Sequence, residues 1–261
     1  MKPIFEVKNL TAGYNTPIIS DISFAVNSGE IVGIIGKNGQ GKTTLLRGIT
    51  GTAKRFSGEI FINGQNCVKL SPKKQATLLS LLSQKTLIPE GVTVRDILEM
   101  GCYPHHSIFE GITAEEKNNI RHTAEKLGVF NFYENDCSKL SIGQQQMVFL
   151  CRMLVQNTPV MLFDEPNSAL DYSNTRMLFK ILNNVIKEDN RAGILVIHDP
   201  EIVLQWCDRM LVIDNGKLVE NINIKLSNEL EIQKALNHLY PEIKVKINPF
   251  NGQYFCYFEE K

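Results

Sequence analysis

The apolar residues of this chain fall into short blocks with two different periods. Ile22-Ser23-Phe24-Ala25-Val26 alternates at a period of two and stops at Asn27-Ser28-Gly29. Gly58-Glu59-Ile60-Phe61-Ile62 runs into Asn63-Gly64, a strong signal for a tight hairpin turn. Together they predict short strands with turn punctuation across residues 4–70. Ile31-Val32-Gly33-Ile34-Ile35, Val160-Met161-Leu162-Phe163 and Ile194-Leu195-Val196-Ile197 are continuous apolar runs, the pattern of strands buried on both faces of a parallel sheet. Between the last two, Met177, Leu178, Ile181, Leu182, Val185 and Ile186 recur at helical spacing and complete a βαβ unit. Residues 85–158 carry no strand signal. Their best helices are Ala114–Leu127 and Gly143–Val155, and Met147, Leu150, Cys151, Leu154 and Val155 make a core-facing stripe. Met210 to Val219 reads as a hairpin about Asp214-Asn215-Gly216. The tail predicts a helix over Asn228–Leu239, then alternation over Ile243–Ile247. A turn at Asn248–Gln253 leads into Tyr254–Phe258, a second hairpin.

Composition narrows the class. The chain has 261 residues, enough for one domain with a subdomain or for two small domains. Lys+Arg and Asp+Glu are both 28, so the net charge is zero and nothing favours a nucleic-acid partner. The 6 cysteines form no C-x-x-C pair and no metal-ligand spacing, which fits a reducing cytosol. Met1 to Glu6 lacks the apolar core of a signal peptide, and no apolar stretch is long enough to span a bilayer. Any membrane role is therefore expected to run through a partner.

The chemistry begins at Gly36-Lys37-Asn38-Gly39-Gln40-Gly41-Lys42-Thr43-Thr44, which fits the G-x-x-x-x-G-K-[ST] phosphate loop. It follows a predicted strand and opens a predicted helix, the context that the motif requires. The glycines let backbone N–H groups close around phosphate oxygens at a helix N-terminus, whose dipole favours negative charge. Lys42 is placed to reach the β- and γ-phosphates, and the Thr43 hydroxyl to sit on Mg²⁺. Asp164, at the end of an apolar strand, is placed to hold the Mg²⁺ shell, and the adjacent Glu165 to accept a proton from an attacking water.

Further motifs lie in order along the chain. Leu140-Ser141-Ile142-Gly143-Gln144 resembles the LSGGQ signature of ATP-binding-cassette (ABC) ATPases, with Ile142 where glycine is usual. Val160 to Glu165 resembles the Walker B strand of that family, and Ser168-Ala169-Leu170-Asp171 its D-loop. Gln84 matches its Q-loop, His198 its switch histidine and Tyr14 its adenine-stacking aromatic. The resemblance covers about residues 4–220. It implies an α/β P-loop NTPase fold: a RecA-like parallel-sheet core, an N-terminal antiparallel β-subdomain and a helical subdomain at about 85–158. An ABC ATPase domain would then occupy residues 1–220, and 221–261 a short C-terminal extension. The family reading gives ATP and Mg²⁺ as cofactors, with Glu165, His198, Lys42 and Gln84 catalytic and Thr43, Gln84 and Asp164 around Mg²⁺. Tyr14 and Gly36, Lys37, Asn38, Gly39, Gln40, Gly41, Lys42, Thr43 and Thr44 would bind the nucleotide. Ser141, Gly143, Gln144 and Asp171 would reach it from the opposite subunit of a homodimer.

Gly101-Cys102-Tyr103-Pro104-His105-His106 resembles the G-R-Y-P-H segment of ATPases that serve iron–siderophore, haem and vitamin B12 importers, with Cys102 in place of arginine. The tail from Leu226 to Val245 is similar to the C-terminal extension of that group. No third ligand accompanies His105 and His106, so they are read as a solvated loop at a permease contact rather than a metal site. The implied protein works at the cytoplasmic face of the membrane, held there by integral permease subunits and indirectly served by a substrate-binding protein. An exporter ATPase and a non-transport ABC protein of DNA repair or the ribosome are the alternatives. No fused permease, inserted coiled coil, second cassette or basic linker supports either, and a pure binding module would be expected to lose Glu165 or His198.

Overall fold

A computed structural model describes residues 2–84, 86–107 and 110–258. The chain opens with strands β1 (Phe5–Gly13), β2 (Pro17–Val26) and β3 (Ile31–Ile35), then helix α1 (Lys42–Thr50). Strands β4 (Lys54–Ile62) and β5 (Gln65–Asn66) meet at the Asn63-Gly64 turn. Helix α2 (Pro72–Ala76), strand β6 (Leu79–Leu82) and helices α3 (Val94–Glu99), α4 (Ala114–Lys126) and α5 (Ile142–Gln156) follow. Then come β7 (Val160–Asp164), α6 (Tyr172–Glu188), β8 (Ala192–Val196), α7 (Pro200–Trp206), β9 (Arg209–Asp214) and β10 (Lys217–Asn223). Helix α8 (Glu229–Asn237) and the hairpin β11 (Ile243–Ile247) and β12 (Tyr254–Phe258) end the described chain.

Three sheets form. The central one has the order β10-β9-β3-β8-β7-β6, parallel except for the antiparallel edge strand β10. An antiparallel sheet, β2-β1-β4-β5, lies toward the N-terminus, and β11 pairs with β12. The period of two decides how the layers pack. Val32, Ile34, Val160, Leu162, Ile194, Val196, Leu211 and Ile213 point to one face of the central sheet, where they meet α1 and the antiparallel sheet. Ile31, Ile35, Met161, Phe163, Leu195, Ile197, Met210 and Val212 point to the other face, against the later helices. Ile232, Leu236, Ile243 and Val245 from the C-terminal segment are buried in that same second core.

The expected strands and helices form, with bounds that differ by a few residues. Helices α2 and α7 were not read from the pattern, and neither were two features of the strands. Strand β4 starts at Lys54, upstream of Gly58, because its first half pairs with the far end of β1: Lys54 opposes Gly13. Strand β6 was missed because Ser80 interrupts its apolar run. In the fold the Ser80 hydroxyl lies 2.7 Å from the Thr158 hydroxyl, so the buried polar group is satisfied and the strand can pair with β7. Helix starts follow local chemistry. Thr93/Asp96, Thr113/Glu116, Ser141/Gln144 and Asn228/Glu231 are reciprocal capping boxes.

Asp208, just before β9, ties three parts of the molecule together. Its carboxylate accepts from the Ile31 N–H at 3.0 Å, from Lys187 on α6 at 3.0 Å and from Lys225 at 2.6 Å. Burial pushes its pKa up, but the bonds from Lys225, the Ile31 N–H and Lys187 outweigh that and leave it below the ordinary value. A carboxylate with a depressed folded pKa stabilises above its unfolded value and ceases to do so as pH falls through the folded one. Asp208→Asn is therefore expected to lower stability at pH 7 by about 1–3 kcal/mol. In denaturant titrations the gap between wild type and variant should close as the pH drops below about 4.

Candidate functional site

The C-terminal edge of the central sheet gathers the site. Strand β3 ends at Ile35, and the chain turns through Gly36–Gly41 into α1. The turn needs its glycines. Gly41 has φ +94°, and a Cβ there would sit 2.5 Å from Cγ2 of Ile19. A Cβ on Gly36 would sit 2.5 Å from the Ile213 carbonyl oxygen. Helix α1 begins at this turn with no side-chain cap, so its first amides are left for a ligand. Lys42 is only 6% exposed, and its ammonium donates to the carbonyls of Gly36 (2.6 Å) and Lys37 (2.9 Å). Burial lowers its pKa, while the neighbouring Glu165 and Asp164 carboxylates pull it back up.

Strand β7 brings two carboxylates to the same edge. Asp164 is 6% exposed and accepts from the Thr43 hydroxyl at 3.0 Å. Burial raises its pKa against the pull of that bond. A desolvated carboxylate beside a hydroxyl is the oxygen donor set that suits a small divalent cation such as Mg²⁺. Glu165, the next residue, is held at φ +52°, a left-handed conformation unusual for a non-glycine residue. Its N–H donates to the Val196 carbonyl at 3.0 Å, and its carbonyl accepts from the Ser168 N–H at 3.2 Å. The side chain is shared between two partners: the His198 imidazole bonds Oε1, and Gln84 Nε2 donates to Oε2 at 2.6 Å.

A cavity of about 680 Å³ opens over this edge, lined by Asn38, Gly39, Gly41, Lys42, Thr43, Thr44, Gln84, Glu165 and His198. Ile18 on β2 also lines it and was not anticipated; nothing in its sequence context marks it, because its position depends on the β1–β2 hairpin. Gly36, Lys37 and Asp164 lie behind the lining, bonded to Lys42 and Thr43. The Gln40 side chain turns away and accepts from the Asn215 N–H at 2.5 Å. Tyr14 is 46% exposed, and its hydroxyl accepts from Arg47 at 2.7 Å.

A second group of residues sits outside the cavity. Ser141 caps α5: its hydroxyl accepts from the Gln144 N–H, and the Gln144 side chain accepts from the Ser141 N–H. Ile142, in the first turn, is 70% exposed. Gly143 lies beside the loop before α6, where an added Cβ would meet Leu170 and Ala169. Asp171 caps α6 through the Asn174 N–H. The Gln146 side chain donates to the Pro166 carbonyl and connects this surface to the strand carrying Glu165. In the segment before α4, Tyr103 and His105 are exposed as expected and His106 is half-buried, and both histidines have protein partners. His105 Nε2 donates to the Gln156 carbonyl at 2.9 Å, and His106 Nε2 pairs with Glu116 at 2.5 Å. No cluster of three metal-ligating side chains occurs among the described residues.

Residues 19–168, more than half of the chain, match the family model described as ABC transporter. The chain belongs to the ABC transporter family. It is an ATP-hydrolysing cassette whose activity is coupled to transport, with the α/β ABC ATPase fold and its antiparallel β-subdomain. It is 29% identical over 214 residues to the iron(3+)-hydroxamate import ATP-binding protein FhuC of Bacillus subtilis (strain 168), covering 82% of this chain and 80% of that one. In fold it is similar to an ABC transporter assigned to the metal-chelate type in an inward-facing conformation. The TM-score is 0.80 at 22% identity, covering 99% of this chain and 97% of the other. The dimeric bacterial cassette MJ0796 aligns with a TM-score of 0.76 at 22% identity, over 84% of this chain and 98% of the other. Among the described residues no helix is long and apolar enough to cross a membrane.

Gly41→Ala is expected to strain the left-handed turn and press on Ile19, costing about 1–2 kcal/mol in thermal unfolding. Titration with a fluorescent ATP analogue should show weakened binding, because the same turn aims the first amides of α1 at the cavity.

Proposed function

We propose that this ABC ATPase powers uptake of an iron chelate, haem or cobalamin-type substrate. It would work as a homodimer at the cytoplasmic face of a membrane, beneath a two-fold integral permease served by a substrate-binding protein. The observation that carries the catalytic half is the shared Glu165 carboxylate, held between His198 and Gln84 at the mouth of the phosphate loop. The loop amides and Lys42 bind the phosphates, and Ile18 on β2, with Tyr14 from the turn before it, would supply a wall for the base. Thr43 and Asp164, with Gln84, would hold Mg²⁺, which when bound supplies positive charge to the phosphate oxygens. Glu165 takes the proton of the attacking water, and His198 orients that water and the γ-phosphate.

The homodimer is supported by the division of the motif residues. Ser141, Gly143, Gln144 and Asp171 do not line the cavity of their own chain, and exposed Ile142 marks the same surface. ATP bound between the loop of one chain and the Ser141 helix start of the other closes the pair, and hydrolysis reopens it. Closure needs ATP to favour the closed pair over the open one. The importer class is supported by the Gly101–His106 segment and by the likeness to FhuC. The permease would dock between Gln84 and about residue 110, a span in which residues 85, 108 and 109 lie outside the described ones, because Gln84 would sense the γ-phosphate next to it.

Glu165→Gln is expected to keep ATP binding and to lower turnover by at least about 10²-fold, trapping an ATP-bound dimer visible by size-exclusion chromatography. Wild-type turnover in that variant would remove Glu165 from the chemistry. The cargo is tested in cells. A deletion strain should lose energy-dependent uptake of one metal chelate or metallo-porphyrinoid while sugar and amino-acid uptake continue. Normal chelate uptake with lost drug efflux would make the chain an exporter subunit.

A further inference from the structure

Tyr240, between α8 and β11, reaches the candidate site from behind. Its hydroxyl donates to the backbone carbonyl of His198 at 3.3 Å. The residue is rigidly mounted. Its N–H donates to the Leu236 carbonyl at 2.9 Å, and its own carbonyl accepts from the Ile243 N–H at 3.0 Å. Leu236 and Ile243 are both buried in the core. The ring meets Phe258 of β12 edge-on, with centroids 6.4 Å apart and planes at 85°. Burial raises the phenol pKa, and Asp199 and Cys256 add to the shift, so the hydroxyl remains a donor.

The carbonyl it holds lies at a junction. Just upstream, the Ile197 N–H still bonds into the sheet, to the Ile34 carbonyl at 3.1 Å. Just downstream, Asp199 caps α7 by accepting from the Glu201 N–H at 2.8 Å. His198 spans the gap between sheet and helix, and its imidazole bonds Glu165. Fixing the His198 peptide plane fixes the Cα–Cβ direction from which that ring extends. Polar contacts thus run without a break from Tyr240 through His198 and Glu165 to Gln84. A cavity of about 340 Å³ lies beside the turn of the C-terminal hairpin and α7, lined in part by Asp199, Gln205, Asn251 and Tyr254.

We propose that Tyr240 is a positioning residue for His198, through which the C-terminal segment sets the rate of hydrolysis without touching the nucleotide. The inference rests on the proposed roles of Glu165 and His198. Small errors in the placement of such a pair are costly to rate and leave nucleotide binding intact, because the phosphates are held by the loop and Lys42 on β3 and α1.

The test is steady-state ATPase activity of the full chain with three variants. Tyr240→Phe keeps the ring and its contact with Phe258 and removes one hydroxyl. It should lower kcat by up to about fivefold, the rate equivalent of one neutral hydrogen bond, with KM for ATP unchanged and a thermal midpoint no lower than that of Tyr254→Phe. Tyr254→Phe removes a comparable bond, from Tyr254 to the Ser227 carbonyl at 2.6 Å, in the same segment but away from His198. It should leave kcat unchanged. Wild-type kcat in Tyr240→Phe, a rise in KM in place of a fall in kcat, or an equal loss in Tyr254→Phe would each overturn the proposal. His198→Ala separates this from the underlying reading. If it is impaired while Tyr240→Phe is normal, only the Tyr240 inference fails. If it hydrolyses ATP at the wild-type rate, the role of His198 fails and the inference with it.

Discussion

A buried ammonium group organises this molecule. Lys42 sits almost out of water at the turn from β3 into α1, where burial works against its charge. Two things keep it there: the carbonyls of Gly36 and Lys37, and the carboxylates of Asp164 and Glu165 at the end of β7. Neither pair of partners is available unless the loop closes tightly and β7 lies in register near β3. The arrangement therefore couples local turn geometry to the order of the central sheet. It also prepares the site for phosphate, because a desolvated cation with acceptors already around it needs little reorganisation to meet an anion.

The same edge shows why neighbouring strands matter more than neighbouring residues. Glu165 follows Asp164 directly, yet the two side chains serve different partners. Asp164 turns inward to Thr43, while the left-handed backbone at Glu165 throws the next side chain outward to His198 and Gln84. An extended pair of residues at a strand end would place adjacent side chains on opposite faces of the sheet. The unfavourable φ at Glu165 is held by its bonds to Val196 and Ser168 and brings the Glu165 carboxylate to the cavity, while Asp164 stays behind the lining on Thr43. Contacts then radiate from Glu165: through Gln84 toward the helices, through His198 to Tyr240 and the C-terminal segment, and through Pro166 to Gln146 on α5.

The surface around Ser141 has a different logic. The Ser141 and Gln144 side chains cap each other's backbone amides within one chain, and the exposed neighbour is the apolar Ile142. A helix start with its dipole and free amides attracts an anion whether or not its cap is filled. A β-branched side chain in place of glycine narrows the backbone freedom at this position and adds bulk beside the amides. In the proposed homodimer this departure would set how closely a phosphate held by the second chain approaches, while the helix itself stays capped by Ser141 and Gln144.

Much of this was determined by sequence alone. The phosphate loop and the strand-terminal Asp164-Glu165 are short motifs whose chemistry is local, and the continuous apolar runs of β3, β7 and β8 mark strands buried on both faces. Ser80 hid β6, because a polar residue in a strand is acceptable only when a partner such as Thr158 lies opposite, and that partner is 78 residues away. The placement of Ile18 in the cavity wall, the tethering of His105 and His106, and the bond from Tyr240 to His198 were likewise decided only by tertiary structure. Each depends on a contact between segments remote in the chain. Residue type reports what a side chain can do, but which groups it meets is set by strand order and helix docking, and those follow from burying the whole apolar pattern at once.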